Sequence, residues 1–119
     1  MSTDADIRRG DVFWVDWTPA RGSEQAGMRP ALVVQRDAGN LSTNYGNTIV
    51  VAISSRGRDQ FSHIEIEPDE VNGLPKLSYV KCEHILTVSK DRLRDRLGRL
   101  DQEQMRRVDD TIKKVLSLP

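Results

Sequence analysis

Read as a pattern of apolar and polar positions, the chain falls into a β-rich stretch followed by one helix. Asp11 to Trp17 (DVFWVDW) is dense in β-branched and aromatic residues and closes on Thr18-Pro19, the pattern of a strand ended by a turn. Ala20 to Met28, with its glycines and small polar residues, predicts a long adaptable loop. Arg29-Pro30 then leads into the apolar Ala31 to Val34, so the first two strands form a hairpin. Thr48 to Ser54 (TIVVAIS) is almost continuously apolar, which predicts a central strand covered on both faces. His63 to Glu67 alternates strictly, placing Ile64 and Ile66 inward and His63, Glu65 and Glu67 outward. After the turn-rich Asn72-Gly73-Leu74-Pro75, Leu77 to Cys82 and Ile85 to Val88 predict two further short strands, for about five or six in all.

The period then changes. Asp101 followed by Gln104 matches a capping box, and Met105, Val108, Ile112, Val115 and Leu116 recur on one face of a helix over residues 101–117. Strands joined by short turns without intervening helices exclude a doubly wound parallel sheet. They predict a mainly β fold with a C-terminal helix, a small and strongly curved antiparallel barrel closed by that helix. Met1 to Asp6 is polar and without periodicity, so residues 1–7 are expected to form a flexible tail before a single domain.

Composition narrows the function. At 119 residues the chain suits one domain without an interdomain cleft, and so small a domain leaves apolar surface that a homodimer would cover. Lys plus Arg equals Asp plus Glu at 18 each, so any nucleic-acid binding must come from a local positive groove rather than net charge. Cys82 is the only cysteine, which excludes an intrachain disulfide and a Cys-rich zinc site and suits a reducing cytosol. No HxxxH or CxxC spacing suggests a metal site, and neither a signal-peptide core nor a membrane span is present, so a cytoplasmic location is expected.

The most specific signals are four ordered blocks. Arg9 to Asp16 (RGDVFWVD), Gly22 to Val34 (GSEQAGMRPALVV), Gln35 to Asn40 (QRDAGN) and Thr48 to Ser54 together resemble the MazF/PemK (Kid) family of toxins from type II toxin–antitoxin systems. The resemblance spans residues 8 to about 117, and its second block is the most diagnostic. It implies the barrel fold of plasmid-maintenance toxins (the SH3-like CcdB/PemK type). The implied activity is a sequence-specific endoribonuclease that needs no metal or other cofactor and cuts single-stranded RNA. The ribose 2′-hydroxyl would be the nucleophile, leaving a 2′,3′-cyclic phosphate and a 5′-hydroxyl, so DNA should be inert. It further implies a homodimer with grooves at the subunit interface, filled by the acidic C-terminal tail of a MazE-like antitoxin that competes with RNA.

Two residues match the family's catalytic positions, Arg29 and Ser54, where many relatives carry threonine in place of Ser54. The chemistry is sensible. In-line attack by the 2′-oxygen builds negative charge on phosphorane oxygens, and the forked donors of a guanidinium suit that geometry. A serine hydroxyl at a strand end supplies a second donor from a rigid element. A guanidinium is a poor general base near neutrality, so Glu24, five residues earlier on the loop, is the candidate to accept the 2′-hydroxyl proton, with Arg29 protonating the leaving oxygen. The family account also gives Arg29 acid–base duties.

Each reading has a plainer alternative. Gly22, Ser23 and Gln25 are candidates to meet RNA in the cleft, or serve the turn alone. Lys76 and Lys81 are candidates for the phosphate backbone. The cluster Arg92, Arg94, Arg96 and Arg99, interrupted by Asp91 and Asp95, reads as well as a solvated face. Trp14, Trp17, Phe13 and Tyr45 offer stacking platforms, although core packing suits Trp14 and Phe13 better. His63 and His84 invite an acid–base pair, but both fall outside the signature blocks, and Glu65 beside His63 suggests a solvated strand. A gyrase-poisoning toxin of the same fold, or an RNA-binding module that does not cut, are the rival readings.

Overall fold

The computed structural model describes residues 6–17 and 27–119. Strands β1 (Asp11–Asp16) and β2 (Met28–Val33) are followed by a one-turn helix α1 (Asp37–Asn40) and by β3 (Asn47–Ser54). Next come β4 (His63–Ile66), β5 (Ser78–Ser89), a 3₁₀ turn at Lys90–Arg92, β6 (Leu93–Arg99) and the helix α2 (Gln102–Val115). The six strands form one antiparallel sheet in the order β4-β5-β3-β2-β1-β6.

The apolar run of β3 lies inside the sheet, and alternation sends its side chains to two cores. Val51 and Ile53 join Val12, Leu32, Ile64, Ile66, Val80 and Val108 on one face, where Met105, Ile112 and Val115 of α2 pack. Val50 joins Phe13, Val15, Ala31, Val33 and Val88 on the other. Ile7, expected in the flexible tail, is instead 3% exposed and belongs to this second core; residues 1–5 lie outside the described residues. The start of α2 follows its pattern: the Asp101 carboxylate accepts from the Gln104 amide at 2.7 Å, and the Gln104 side chain accepts from the Asp101 amide at 2.9 Å.

Three expectations are corrected. The sheet is not a closed barrel, because β4 and β6 are free edges. The segment between β4 and β5 packs on β6 without a ladder: the Arg99 amide donates to the Val71 carbonyl at 3.0 Å, and Gly73 and Gly98 allow close backbone approach. A Cβ on either glycine would lie 2.0 Å from a carbonyl oxygen, that of Leu97 or Val71. Second, the two strands expected at 77–82 and 85–88 are one 12-residue strand, whose pairing with β3 slips between Val51 and Ile53 so that residues 81–84 bulge. Third, the arginine cluster builds an unforeseen edge strand, β6. Arg94 pairs with Asp16 at 3.2 Å, while Arg96 pairs with Asp11 at 3.1 Å and lies over the Phe13 ring. Burial raises the Asp11 carboxyl above the usual carboxylate range, against the Arg8 amide and the charges of Arg96 and Arg99.

Candidate active site

Pro30 shapes the point where β2 and β3 part. The Val34 amide donates to Ile49 of β3, so alternation directs residue 30 toward β3 as well, and proline has no N–H to give. The β2–β3 pairing accordingly stops at Ala31 opposite Ala52. Continuing that register by two residues sets Arg29 across from Ser54, on the face that carries Ala31, Val33 and Val50. Ser54 in turn pairs with Tyr79 of β5, and Tyr79 with Glu65 of β4. Ser54, Tyr79 and Glu65 therefore form a row across three paired strands, and the continued register adds Arg29 at its end.

The two members of the pair differ in setting. Arg29 is exposed and has no ion pair with any described residue. Ser54 is recessed at 5% exposure, and its Oγ accepts from the Arg56 amide at 3.0 Å. With a lone pair so engaged, the hydroxyl keeps its proton to donate elsewhere. A guanidinium and a directed hydroxyl on neighbouring strands can bind two oxygens of one phosphate.

The loop leaving Ser54 is held closely. Gly57 lies against Tyr79, where a Cβ would come within 2.2 Å of the ring carbon Cγ, and the Arg58 amide donates to Nδ1 of His63 at 3.2 Å. Nε2 of His63 meets Oε2 of Glu83 at 2.8 Å, and His84 Nε2 approaches the same oxygen at 3.6 Å. Burial acts to raise the Glu83 carboxyl, but hydrogen bonds from His63, its own backbone and Ser62 outweigh it and leave the carboxyl below the usual range. His63 is thus no solvated outward residue: only 6% of its side chain is exposed.

Among the remaining expected residues, Lys81 shares the Tyr79 face of β5, paired with His63 across the ladder, whereas Lys76 stands exposed in the turn before β5. Gly22, Ser23, Glu24 and Gln25 lie outside the described residues. Phe13 is core, Trp14 is half-buried, and Trp17 packs on the second core with its indole N–H buried and without a hydrogen-bond partner among the described residues. Tyr45 sits beyond the opposite end of β3, beside Lys90. Burial pushes the Cys82 thiol up to about 12, with Glu83 and Asp109 adding to it, so it carries no thiolate near neutrality. Among the described residues, no three His, Cys, Asp or Glu are grouped to hold a metal ion, and no helix is long and apolar enough to cross a membrane. Sequence patterning missed Arg56, Arg58 and Phe61, all exposed on the loop after Ser54, Phe61 at 67%. Their interleaving of basic and aromatic residues was the available signal.

Residues 8–116 match the family described as PemK-like, MazF-like toxins of type II toxin–antitoxin systems. The chain belongs to this family. It is 38% identical over 115 residues to the endoribonuclease MazF of Staphylococcus epidermidis, covering 94% of this chain and 92% of that protein. It is also 38% identical over 114 residues to the endoribonuclease EndoA of Bacillus subtilis, at 94% and 96% coverage. Among solved structures it is similar to a mycobacterial endoribonuclease in complex with its cognate antitoxin, with a TM-score of 0.78 at 25% identity over 96% of this chain and 98% of that one. Within this MazF-like fold, the row centred on Arg29 and Ser54 joins the second and fourth signature blocks, which the chain separates by more than a dozen residues.

Proposed function

We propose that this chain is the toxin of a type II toxin–antitoxin system, a cytoplasmic, sequence-specific endoribonuclease that cleaves single-stranded RNA without a metal. The observation that supports this reading is the β2–β3 register, Ala31 opposite Ala52, which continued by two residues brings Arg29 and Ser54 to one face where the strands part. The 2′-oxygen attacks phosphorus, the bond to the 5′-oxygen breaks, and the products are a 2′,3′-cyclic phosphate and a 5′-hydroxyl. Arg29 binds the charge developing on the phosphorane and protonates the departing 5′-oxygen. Ser54 donates to a second non-bridging oxygen, and Glu24 accepts the 2′-hydroxyl proton. Gly22, Ser23 and Gln25 contact the bases, while Lys81 and Lys76 attract the backbone.

The sheet, bent though not closed, is read as a form of the SH3-like plasmid-maintenance barrel. The functional unit is a homodimer with the site at its interface groove, where a MazE-like antitoxin inserts an acidic tail and competes with RNA. A long defined RNA digested in EDTA by wild type, Arg29→Ala and Ser54→Ala tests the reading. Cuts by wild type alone, with 2′,3′-cyclic phosphate ends, support it. Intact RNA with wild type overturns it in favour of a non-cleaving toxin.

A further inference from the structure

We propose that His63 is a positioning residue that latches the loop after Ser54 and thereby fixes the direction of the Ser54 hydroxyl. The proposal rests on the reading of Ser54 given above. The hydrogen-bond geometry defines the ring. Because Nδ1 accepts the Arg58 amide at 3.2 Å, that nitrogen carries no proton, and Nε2 must carry the hydrogen that it donates to Glu83 at 2.8 Å. One imidazole therefore ties three segments together: β4, which bears it, the bulge of β5 through Glu83, and the loop through Arg58.

The consequence for Ser54 follows along the loop. Arg56 donates its amide to Ser54 Oγ, and Gly57 rests on the Tyr79 ring. Arg58 is the third consecutive residue to be pinned, here by the imidazole of His63. Without an acceptor at Nδ1 the Arg58 amide turns to solvent, the peptide carrying the Arg56 amide is released with it, and the Ser54 hydroxyl loses its fixed aim. A displacement of that size near reacting atoms weakens transition-state contacts more than substrate binding.

Two substitutions separate the latch from the bulk of the ring. Asn places its amide oxygen near the position of Nδ1 and keeps the acceptor for Arg58. Gln places its amide near Nε2 and keeps the link to Glu83 but not the acceptor. Cleavage of an RNA oligonucleotide carrying a cut site mapped in the digest is expected to show His63→Asn within about threefold of wild-type kcat. His63→Gln is expected to lose about tenfold or more in kcat with KM within about twofold. The double variant Ser54→Ala/His63→Gln should be no slower than Ser54→Ala alone, because both remove the same contact.

Equal loss in the Asn and Gln variants, a loss confined to KM, or additive losses in the double variant overturn the latch. If Ser54→Ala cuts like wild type, the Ser54 reading itself fails. If Ser54→Ala is inactive while His63→Gln is fully active, only the latch fails. A measurement on the wild-type protein is independent of how the variants fold: the Arg58 amide should be protected from hydrogen exchange, and free exchange there excludes the latch.

Discussion

The two ends of β3 carry polar side chains on the same face, about 20 Å apart for a strand rising ~3.3 Å per residue, yet they are built in opposite ways. At the Thr48 end buried polar side chains bond one another. Thr48 Oγ1 donates to the Asn40 side-chain oxygen at 2.7 Å, and the Gln35 amide donates to the same oxygen at 3.0 Å. The Asn40 amide donates to the Gln35 carbonyl at 2.8 Å. Asp37 closes the group by accepting from the Arg9 amide at 2.7 Å. At the Ser54 end the hydroxyl has a proton to donate, Arg29 has no ion pair with a described residue, and Arg56 and Arg58 stand exposed beside it. Satisfied polar groups hold a fold together; groups left with unused donors are available to a ligand.

The largest expected effect lies at the open end. On the proposed mechanism Arg29→Ala removes one of two donors to the scissile phosphate, so kcat should fall by about 10²- to 10³-fold. An exposed guanidinium without a described ion pair contributes little to folding, so the melting temperature should stay close to that of wild type. A variant that melts much earlier would show that Arg29 holds the hairpin together, which would erase the contrast between the two ends.

Asn40→Ala should do the reverse. It leaves the Thr48 hydroxyl buried without its acceptor and the Gln35 amide with the Asn47 carbonyl alone, at a cost of about 1–3 kcal/mol in stability. Cleavage per folded molecule should be unchanged, as measured by denaturant unfolding alongside activity corrected for the folded fraction. A strong fall in kcat at full stability would mean that the two ends communicate.

Both ends belong to signature blocks, and at the level of sequence they look alike. Gln35 to Asn40 and Ser54 were legible as parts of one resemblance, but only the contacts show that the first block is a buried hydrogen-bond network. The strands of alternating or apolar pattern, β1, β3 and β4, and the capped helix α2 were legible because at least one face of each is buried, and both faces of β3. β6 was not, because an edge strand of sequence LRDRLGR keeps its charges outward and reads as a solvated run. The unity of β5 was hidden by the bulge at residues 81–84, where Lys81, Glu83 and His84 interrupt an apolar pattern. The role of His63 was invisible for a related reason: its partners, Arg58 and Glu83, come from a loop and a bulge that no periodicity describes.

A smaller effect is expected far from both ends. Asp101→Ala removes the side-chain acceptor for the Gln104 amide at the start of α2 and should cost about 1 kcal/mol, read by thermal or denaturant melting. Cleavage should be unaffected, since α2 packs on the core opposite the Ser54 face. Loss of activity from this variant would mean that the helix face takes part in the site.

The smallest effect separates the two ends by pH. The Arg9 amide holds the Asp37 carboxyl below the usual carboxylate range; partial burial opposes this, and Asn40 and the charges of Arg8 and Arg9 assist it. A carboxyl depressed in the folded state contributes stability that is fully present above its unfolded value, about 3.9, and is lost as pH falls through its folded value. Glu83 behaves in the same sense, from an unfolded value of about 4.3. Asp11 runs the other way, because burial raises its carboxyl, so protonating it favours the folded state and offsets part of the loss. Wild type should therefore lose stability gradually below about pH 4.5. Asp37→Asn, which keeps an oxygen for the Arg9 amide but cannot titrate, should flatten part of that slope without touching cleavage at neutral pH. An acid slope identical to that of wild type would show that the Asp37 charge plays no part in the closed network, leaving its neutral hydrogen bonds as the whole of what distinguishes that end of β3.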